Sequence, residues 1–569
     1  MRAWAPSFAR RRESSLMTPS FPRRRESSLI FAIVLASILV AAAAQALELE
    51  TPVTDSVSII ETLTVIHDVT NPGEPFWALV NWLNLQVAKG PFTAGIRYDT
   101  EAYLLNETYA GRYLPQKYFV QYDQKPFFVR VGDFYARFGN GLTLSMLKID
   151  AFGIDATIQG AVFRTMLDYF EVEALGGPVN YEDDSSFTPA RVVPQPSFWD
   201  GRDLLWGARL MAGPPKYIRV GGTWVGGVLR DHTEGALARF SRDNTFNMYS
   251  AIIEAPHLGP AGSIEGEYAW LDYDNAHKNG VPDEKYEGHG TYLLSTWYPG
   301  PVTLTVEGID YFKFALTSAS GTTATSALAN PVQYNLPPSL EYTDMAFGHP
   351  PNYDDSTGGR ARLDYTIPGI DLASFVNYTR IESHKFPVDL VGEHYGATAA
   401  NPRVKWIEHL YGGFDRNFGN GAQVVINGGY REIEEGRYIH GQVQGATPIV
   451  YPHSLNAETQ AKQFQGMGDN SSSRYYDQDS TIGYAYAPYF SVSGEYEWSN
   501  QPAGGVITVG AAKQNQPNFW SVQTVVQPAN WARLTLGYGR YQGGLQCSGG
   551  VCRIMPPFTG FKSQYAFRF

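Results

Sequence analysis

Past residue 44 the sequence has no apolar run long enough to cross a membrane as a helix, which takes about 18–20 residues. The short motifs of common catalytic sites are also missing. There is no G-x-S-x-G elbow, no H-E-x-x-H pair, and no glycine-rich loop ending in Lys-Ser or Lys-Thr. The eleven histidines are scattered from His67 to His453. The acidic clusters Glu182-Asp183-Asp184, Asp272 with Asp274, and Asp354-Asp355 lack EF-hand spacing and read as solvated loops. On these grounds no enzyme, no cofactor and no metal is expected. Charged residues make up only 18% of the chain, and the net charge of −12 argues against nucleic acid as a partner. With two cysteines, the chain is not a disulfide-rich scaffold.

Aromatics, by contrast, are abundant: 14% of residues, with 36 Tyr, 31 Phe and 12 Trp, alongside 57 Gly and 36 Pro. A β-barrel places aromatics in two interfacial girdles and hides its lipid face in alternation. The mean hydropathy of −0.25 is therefore no argument against a membrane protein.

Residues 1–46 read as a signal peptide. Arg23, Arg24 and Arg25 precede an apolar stretch from Leu29 to Ala44, and Ala44-Gln45-Ala46 offers a small-x-small cleavage site. PSFARRRESSL at 6–16 recurs as PSFPRRRESSL at 19–29, a period of 13 with no structural logic. An alternative start at Met17 or later would make residues 1–28, in whole or in part, a mis-called leader. Cleavage after residue 46 removes seven Arg and two Glu and leaves a mature chain near −17. Export makes a disulfide between Cys547 and Cys552, in CSGGVC, the expected state of the pair. A metal site is the alternative, but two thiolates with no nearby His supply too few ligands.

From residue 47 onward one rhythm repeats. Alternating segments are joined by short turns and long polar loops in succession. The turns are KGPF (89–92), DQKP (123–126), GPPK (213–216), LGPAG (258–262), YPGP (298–301), IPGI (367–370), FGNG (418–421), APYF (487–490) and QPAN (527–530). A tenth is expected near Met166-Leu167-Asp168. Proline presets a turn dihedral and cannot donate into a ladder, so it punctuates strands. In the flanks Leu204, Trp206, Ala208 and Leu210 oppose Gly207 and Arg209, and Arg360, Arg362 and Asp364 share one face. Charges on one face suit a wet lumen and would be costly in a dry core. Ten short turns with both chain ends on the same rim predict about 22 strands, within 20–24. The fold class is thus an all-β, antiparallel, up-and-down transmembrane barrel over residues 47–569. Long loops are expected near 178–202, 231–243, 274–287, 315–357, 385–402, 437–476, 501–515 and 542–557. Those at 315–357 and 437–476 are the candidates to enter the pore. No plug domain is evident before a first strand near Ser56, which argues against a TonB-dependent receptor.

The last nine residues, FKSQYAFRF, put Phe561, Tyr565, Phe567 and Phe569 on one face with Ser563, against Lys562, Gln564, Ala566 and Arg568. This resembles the C-terminal signal that barrel-assembly machinery reads in bacterial outer-membrane proteins. The resemblance implies that machinery as a partner and the outer membrane of a Gram-negative bacterium as the location. Lipid and lipopolysaccharide would then surround the chain, and its acidic balance is compatible with divalent cations in that layer.

The most unusual stretch is VGDFYARFGNGLTLSM (131–146), followed by GIDATIQGA (153–161). Together with GGLQCSGGVCRIMPPFTG (543–560) it resembles a family of uncharacterised bacterial outer-membrane barrels. That family has GDFYARFGxGL-like and GxD-T-xxG segments and a Cys-paired last loop. A weaker resemblance is to capsule-anchoring lectin barrels. The family implies a fold and no activity. The bland reading of 131–146 is a kinked strand or an inward-folded loop packing the lumen. The functional one has Asp133, Tyr135, Arg137 and Asp155 lining a constriction or binding a ligand. A porin-like channel for small hydrophilic solutes is the leading expectation. The alternatives are a non-channel barrel that binds polysaccharide or lipopolysaccharide, and an outer-membrane enzyme.

Overall fold

The computed structural model describes residues 56–68, 76–105, 108–149, 154–180, 203–229, 244–258, 261–275, 284–314, 334–340, 355–367 and 369–384. It further describes 406–433, 436–465, 474–500, 518–541, 544–548, 551–555 and 558–568. The proposed signal peptide and Phe569 lie outside these ranges.

The wall opens with β1 (Ser56–Asp68), β2 (Phe76–Lys89), β3 (Phe92–Leu105), β4 (Thr108–Gln124) and β5 (Phe127–Phe134). Four short strands follow: β6 (Ala136–Phe138), β7 (Leu144–Met146), β8 (Lys148–Ile149) and β9 (Ile154–Asp155). The wall resumes with β10 (Thr157–Met166), β11 (Phe170–Asn180), β12 (Leu204–Ala212), β13 (Arg219–Leu229), β14 (Asn244–Ala255) and β15 (Gly262–Asn275). It continues through β16 (Glu284–Trp297), β17 (Val302–Phe312), β18 (Asp355–Ile367), β19 (Leu372–Ser383), β20 (Trp406–Asn417) and β21 (Gln423–Ile433). Then come β22 (Gly436–Val450), β23 (His453–Gln465), β24 (Arg474–Tyr486), β25 (Phe490–Ser499), β26 (Asn518–Ala529) and β27 (Ala532–Tyr541). A small hairpin of β28 (Gly544–Ser548) and β29 (Val551–Met555) precedes β30 (Phe558–Arg568).

Twenty-four of these strands form one antiparallel sheet, and β30 pairs with both β27 and β1, so the sheet closes on itself. At the seam Leu63 stands opposite Tyr565, and Val65 opposite Ser563. Closure satisfies every ladder and removes the sheet edges that would otherwise bind other chains. The first strand starts at Ser56, where the sequence placed it.

The faces segregate as the alternation required. Outward positions carry large exposed apolar side chains, among them Leu210, Val220, Trp224, Tyr249, Trp270, Ile482 and Trp520. Phe561 and Tyr565 share that face on β30, in register with Tyr538 and Leu534 of β27. Charged side chains face inward, such as Arg360 and Arg362 on β18 and Glu495 and Glu497 on β25. A contiguous apolar outer surface of this extent is stable where lipid covers it.

The strand number is 24, at the top of the expected span, and the difference from 22 has one source. Residues 437–476 were expected to be a long loop and a candidate to enter the pore. Most of them instead form the β22–β23 hairpin, turning at Tyr451-Pro452. That makes eleven short connections of two to six residues on one rim, where the turn motifs had marked ten. The pattern there was muted because the outward row is mostly small or polar: Gly441, Gly445, Thr447, Ala457, Thr459 and Ala461. Pro448 within β22 adds a misleading breaker and coincides with a bulge in the ladder. The opposite rim also has two tight connections, β3 to β4 and β21 to β22.

The hairpin reading predicts sidedness. With both native cysteines replaced by Ser, Tyr451→Cys and Lys216→Cys are expected to react with an impermeant maleimide from the same face of a reconstituted membrane. Labelling of the two from opposite faces would return 437–476 to the loop side.

Candidate functional site

The glycine-rich stretch leaves the wall and fills part of its interior. β5 departs from β4 at Gly132, whose φ of +109° suits glycine, and where a Cβ would collide with backbone of Tyr118 and Phe119. β6 and β7 then form a hairpin turning at Gly139-Asn140-Gly141, with φ of +50° and +88° at the two glycines. Phe138, Leu142 and Leu144 are fully buried, as is Met146. They pack with Ile158, Leu205, Val225, Phe246, Met248, Leu271 and Tyr311, which face inward from β10–β17.

A second inner piece holds the hairpin in place. Residues 334–340, from the long connection between β17 and β18, run as an extended strap against it. Ser145 N–H donates to Tyr334 O (2.8 Å) and Leu336 N–H to Gly141 O (3.0 Å). The Asn335 amide donates to Leu142 O (3.1 Å) and Phe314 O (2.7 Å), and Tyr334 hydroxyl to Asp203. Part of the expected pore-entering loop 315–357 thus lies inside the barrel. The turn docks on the wall through Asn140 N–H, which donates to the buried carboxylate of Glu267 (2.7 Å), and Thr143 joins Thr223 (2.8 Å), itself bonded to Ser250 (2.7 Å).

The four residues singled out in this region have different settings. Asp133 is 2% exposed and joins three strands where β5 leaves the wall. It accepts from Tyr118 N–H (2.9 Å), Thr157 hydroxyl (3.0 Å), Gln159 amide (3.3 Å) and Asn180 amide (2.9 Å). Tyr135 is exposed, and Lys117 ammonium lies 5.3 Å from its ring. Arg137 donates to Asn140 O (2.9 Å), closing the hairpin turn. Asp155 stands opposite Lys148 in the β8–β9 ladder. The sequence grouped these four as one constriction, and the fold places Asp133 at a structural junction.

Away from the hairpin the inner wall is ionic. Arg209 and Arg219 each bridge Glu171 (2.8 and 2.5 Å) and Glu254 (3.6 and 3.5 Å). Arg97 pairs with Asp99 (2.7 Å), Arg362 with Asp364 (2.7 Å), and Arg360 with Glu307. On β24 and β25, Asp479, Glu495 and Glu497 bring carboxylate oxygens within 4.8 Å of one another. Among the described residues this is the one group of three or more such donors able to hold a metal ion. The sequence did not reveal it, because the three meet only when β24 and β25 pair. The scattered histidines also converge: His409 with His440 at 3.2 Å, and His289 and His384 on Asp310 at 3.5 and 3.0 Å.

Cys547 stands directly opposite Cys552 in the β28–β29 ladder. Opposed antiparallel residues have Cα separations of about 4.5–5.5 Å, within disulfide reach. The two side chains lie outside the described residues, and the bridge is a proposal. Intact-mass analysis before and after alkylation of exported protein is expected to find both thiols blocked; two alkylated cysteines without reduction would refute the bridge.

Replacing Asp133 by Ala leaves buried donors on three strands unmet. Each costs ~1–3 kcal/mol, so an overall loss of about 3 kcal/mol is expected. Urea unfolding in lipid vesicles, followed by tryptophan fluorescence, measures it; an unchanged midpoint would deny Asp133 its structural role.

Several solved structures are similar in outline. The translocation pore of the P pilus usher PapC matches over 90% of this chain and 99% of its own, at 10% identity and a TM-score of 0.41. The copper transporter OprC matches over 91% and 81%, at 9% identity and a TM-score of 0.44. OpdQ of Pseudomonas aeruginosa matches over 67% and 94%, at 12% identity and a TM-score of 0.33. At these scores none bears on what this chain does. No curated protein matches the sequence. Residues 29–314 and 463–569 do match a family model, and the chain belongs to that family of unknown function, DUF6029.

Proposed function

We propose that the protein is an outer-membrane channel for small hydrophilic solutes, narrowed on one side by its own hairpin and strap. The observation that carries this reading is the asymmetry of the lumen. The inner apolar cluster draws its wall residues from Phe134 of β5, from β10–β17 and from Ile381 of β19. The inward rows of β20–β25 contribute none of its members and carry Glu458, Lys462, Asp477, Asp479, Glu495 and Glu497. So many charges could not be buried dry, whereas a water-filled passage tolerates them. Barrels of 16–18 strands already leave an aqueous channel, and diameter grows with strand number, so a wall of 24 strands is wide enough for a passage beside the hairpin and strap. The apolar outer face and the closed ladder support placement in the outer membrane, with lipid and lipopolysaccharide as surroundings.

Planar-bilayer recording tests the reading. Purified folded protein is expected to give ohmic channels, and replacing residues 136–146 by two glycines to enlarge their conductance. Neutralising Asp479, Glu495 and Glu497 together (to Asn, Gln and Gln) is expected to lower cation-over-anion permeability severalfold. Folded protein that passes no current at any voltage would favour the surface-binding alternative, in which outer loops engage polysaccharide.

A further inference from the structure

We infer that His409 and His440 form a two-imidazole site for a borderline divalent transition metal, Zn²⁺ or Cu²⁺, on the inner wall. The residues lie on different strands, β20 and β22, with β21 between them. His409 stands opposite Arg431, and His440 opposite Gly429. Glycine at 429 puts no side chain between the two rings at that level, so they meet across the intervening strand.

The meeting is nitrogen to nitrogen, with His409 Nε2 and His440 Nε2 3.2 Å apart and the rings inclined at 59°. Two imidazoles on one metal at 2.0–2.1 Å stand about 2.9 Å apart in a square plane and about 3.3 Å apart in a tetrahedron. The observed separation falls between those values. His409 is 2% exposed and is fixed by stacking on Tyr411, with centroids 4.7 Å apart and Tyr438 on another side at 6.4 Å. Rings held by neighbours in this way present their lone pairs without a search over rotamers, which favours chelation. His440 is only half-buried, so the outer coordination positions face the lumen, where water or a solute donor completes the set.

The surrounding charge shapes the occupant. Arg431 lies opposite His409 with its guanidinium 5.9 Å from the Tyr438 ring, and Lys462 lies opposite His440 and Asp477. Two cations so placed weaken binding of a bare dication and favour anionic donors in the open positions. Hard cations such as Ca²⁺ and Mg²⁺ prefer oxygen donors and are not expected to bind here. Both histidines fall in residues 315–462, between the two segments that match the family model, so the family carries no expectation for them.

A tetrahedral or square pair is distinguished from a simple Nε2–H···Nε2 hydrogen bond by metal titration. Full-length folded barrel in detergent is titrated with Cu²⁺ and Zn²⁺, read by calorimetry and, for Cu²⁺, by electron paramagnetic resonance. One site per chain with nitrogen hyperfine coupling from two imidazoles is expected, apart from any oxygen-only binding at the Asp479–Glu495–Glu497 group. His409→Ala and His440→Ala are each expected to weaken it at least tenfold, while His289→Ala leaves it unchanged. Folding of each variant is checked by heat-dependent mobility on gels. Should the alanine variants not fold, His409→Gln and His440→Gln serve, and protection of wild-type His409 and His440 from diethyl pyrocarbonate by Zn²⁺ gives a second readout. Absence of a site in the wild type, or equal binding by the double variant, overturns the assignment.

Discussion

The structure depends on the closure of its hydrogen-bond ladder. Each of 24 strands has a neighbour on both sides, and the last pairing, β1 with β30, joins residues some 500 positions apart in sequence. In hydrocarbon an unpaired backbone amide has no water to turn to, so a wall of strands is stable there only when it is complete. Everything else follows from that wall, including its two separated surfaces.

Closure turns the usual arrangement inside out. Trp224, Tyr249 and Ile482 point away from the protein, while Arg362, Asp364, Glu495 and Glu497 point in. The inner surface is then divided again. Along β10–β17 the wall meets a hairpin and a strap, and side chains such as Phe246, Met248 and Leu271 form a dry core of ordinary character. The chain leaves the wall to build that core at Gly132, and Asp133 ties together the three strands that the departure would otherwise leave loose. Along β20–β25 the inner surface carries charges and imidazoles beside the buried rings of Tyr438, Phe464 and Tyr475. One barrel thus carries an apolar patch packed on its hairpin and, elsewhere on the inner face, rows of charged and imidazole side chains.

Much of this was legible in residue order. Alternation around GPPK and APYF assigned the two faces, and the proline- and glycine-marked turns located nine of the eleven short connections. Those signals are local, since a strand's period and a turn's dihedral preferences are set within a few residues. The β22–β23 hairpin escaped because Gly, Ala and Thr dilute its outward row between Ile439, Val443, Ile449 and Leu455, and Pro448 interrupts it. The unusual glycines of 131–146 marked a place where backbone must bend, and the inward-folded loop was one of two readings they allowed.

Sequence alone therefore determined the class of the protein, the faces of most of its strands and most of its short turns, because each rests on near neighbours. Only the tertiary structure decided which wall the hairpin packs against, that Asp133 serves three strands, and that Asp479, Glu495 and Glu497 share one patch. The same holds for His409 and His440, 31 residues apart and brought within 3.2 Å. Such meetings depend on register across strands, and register is set by the closed sheet as a whole.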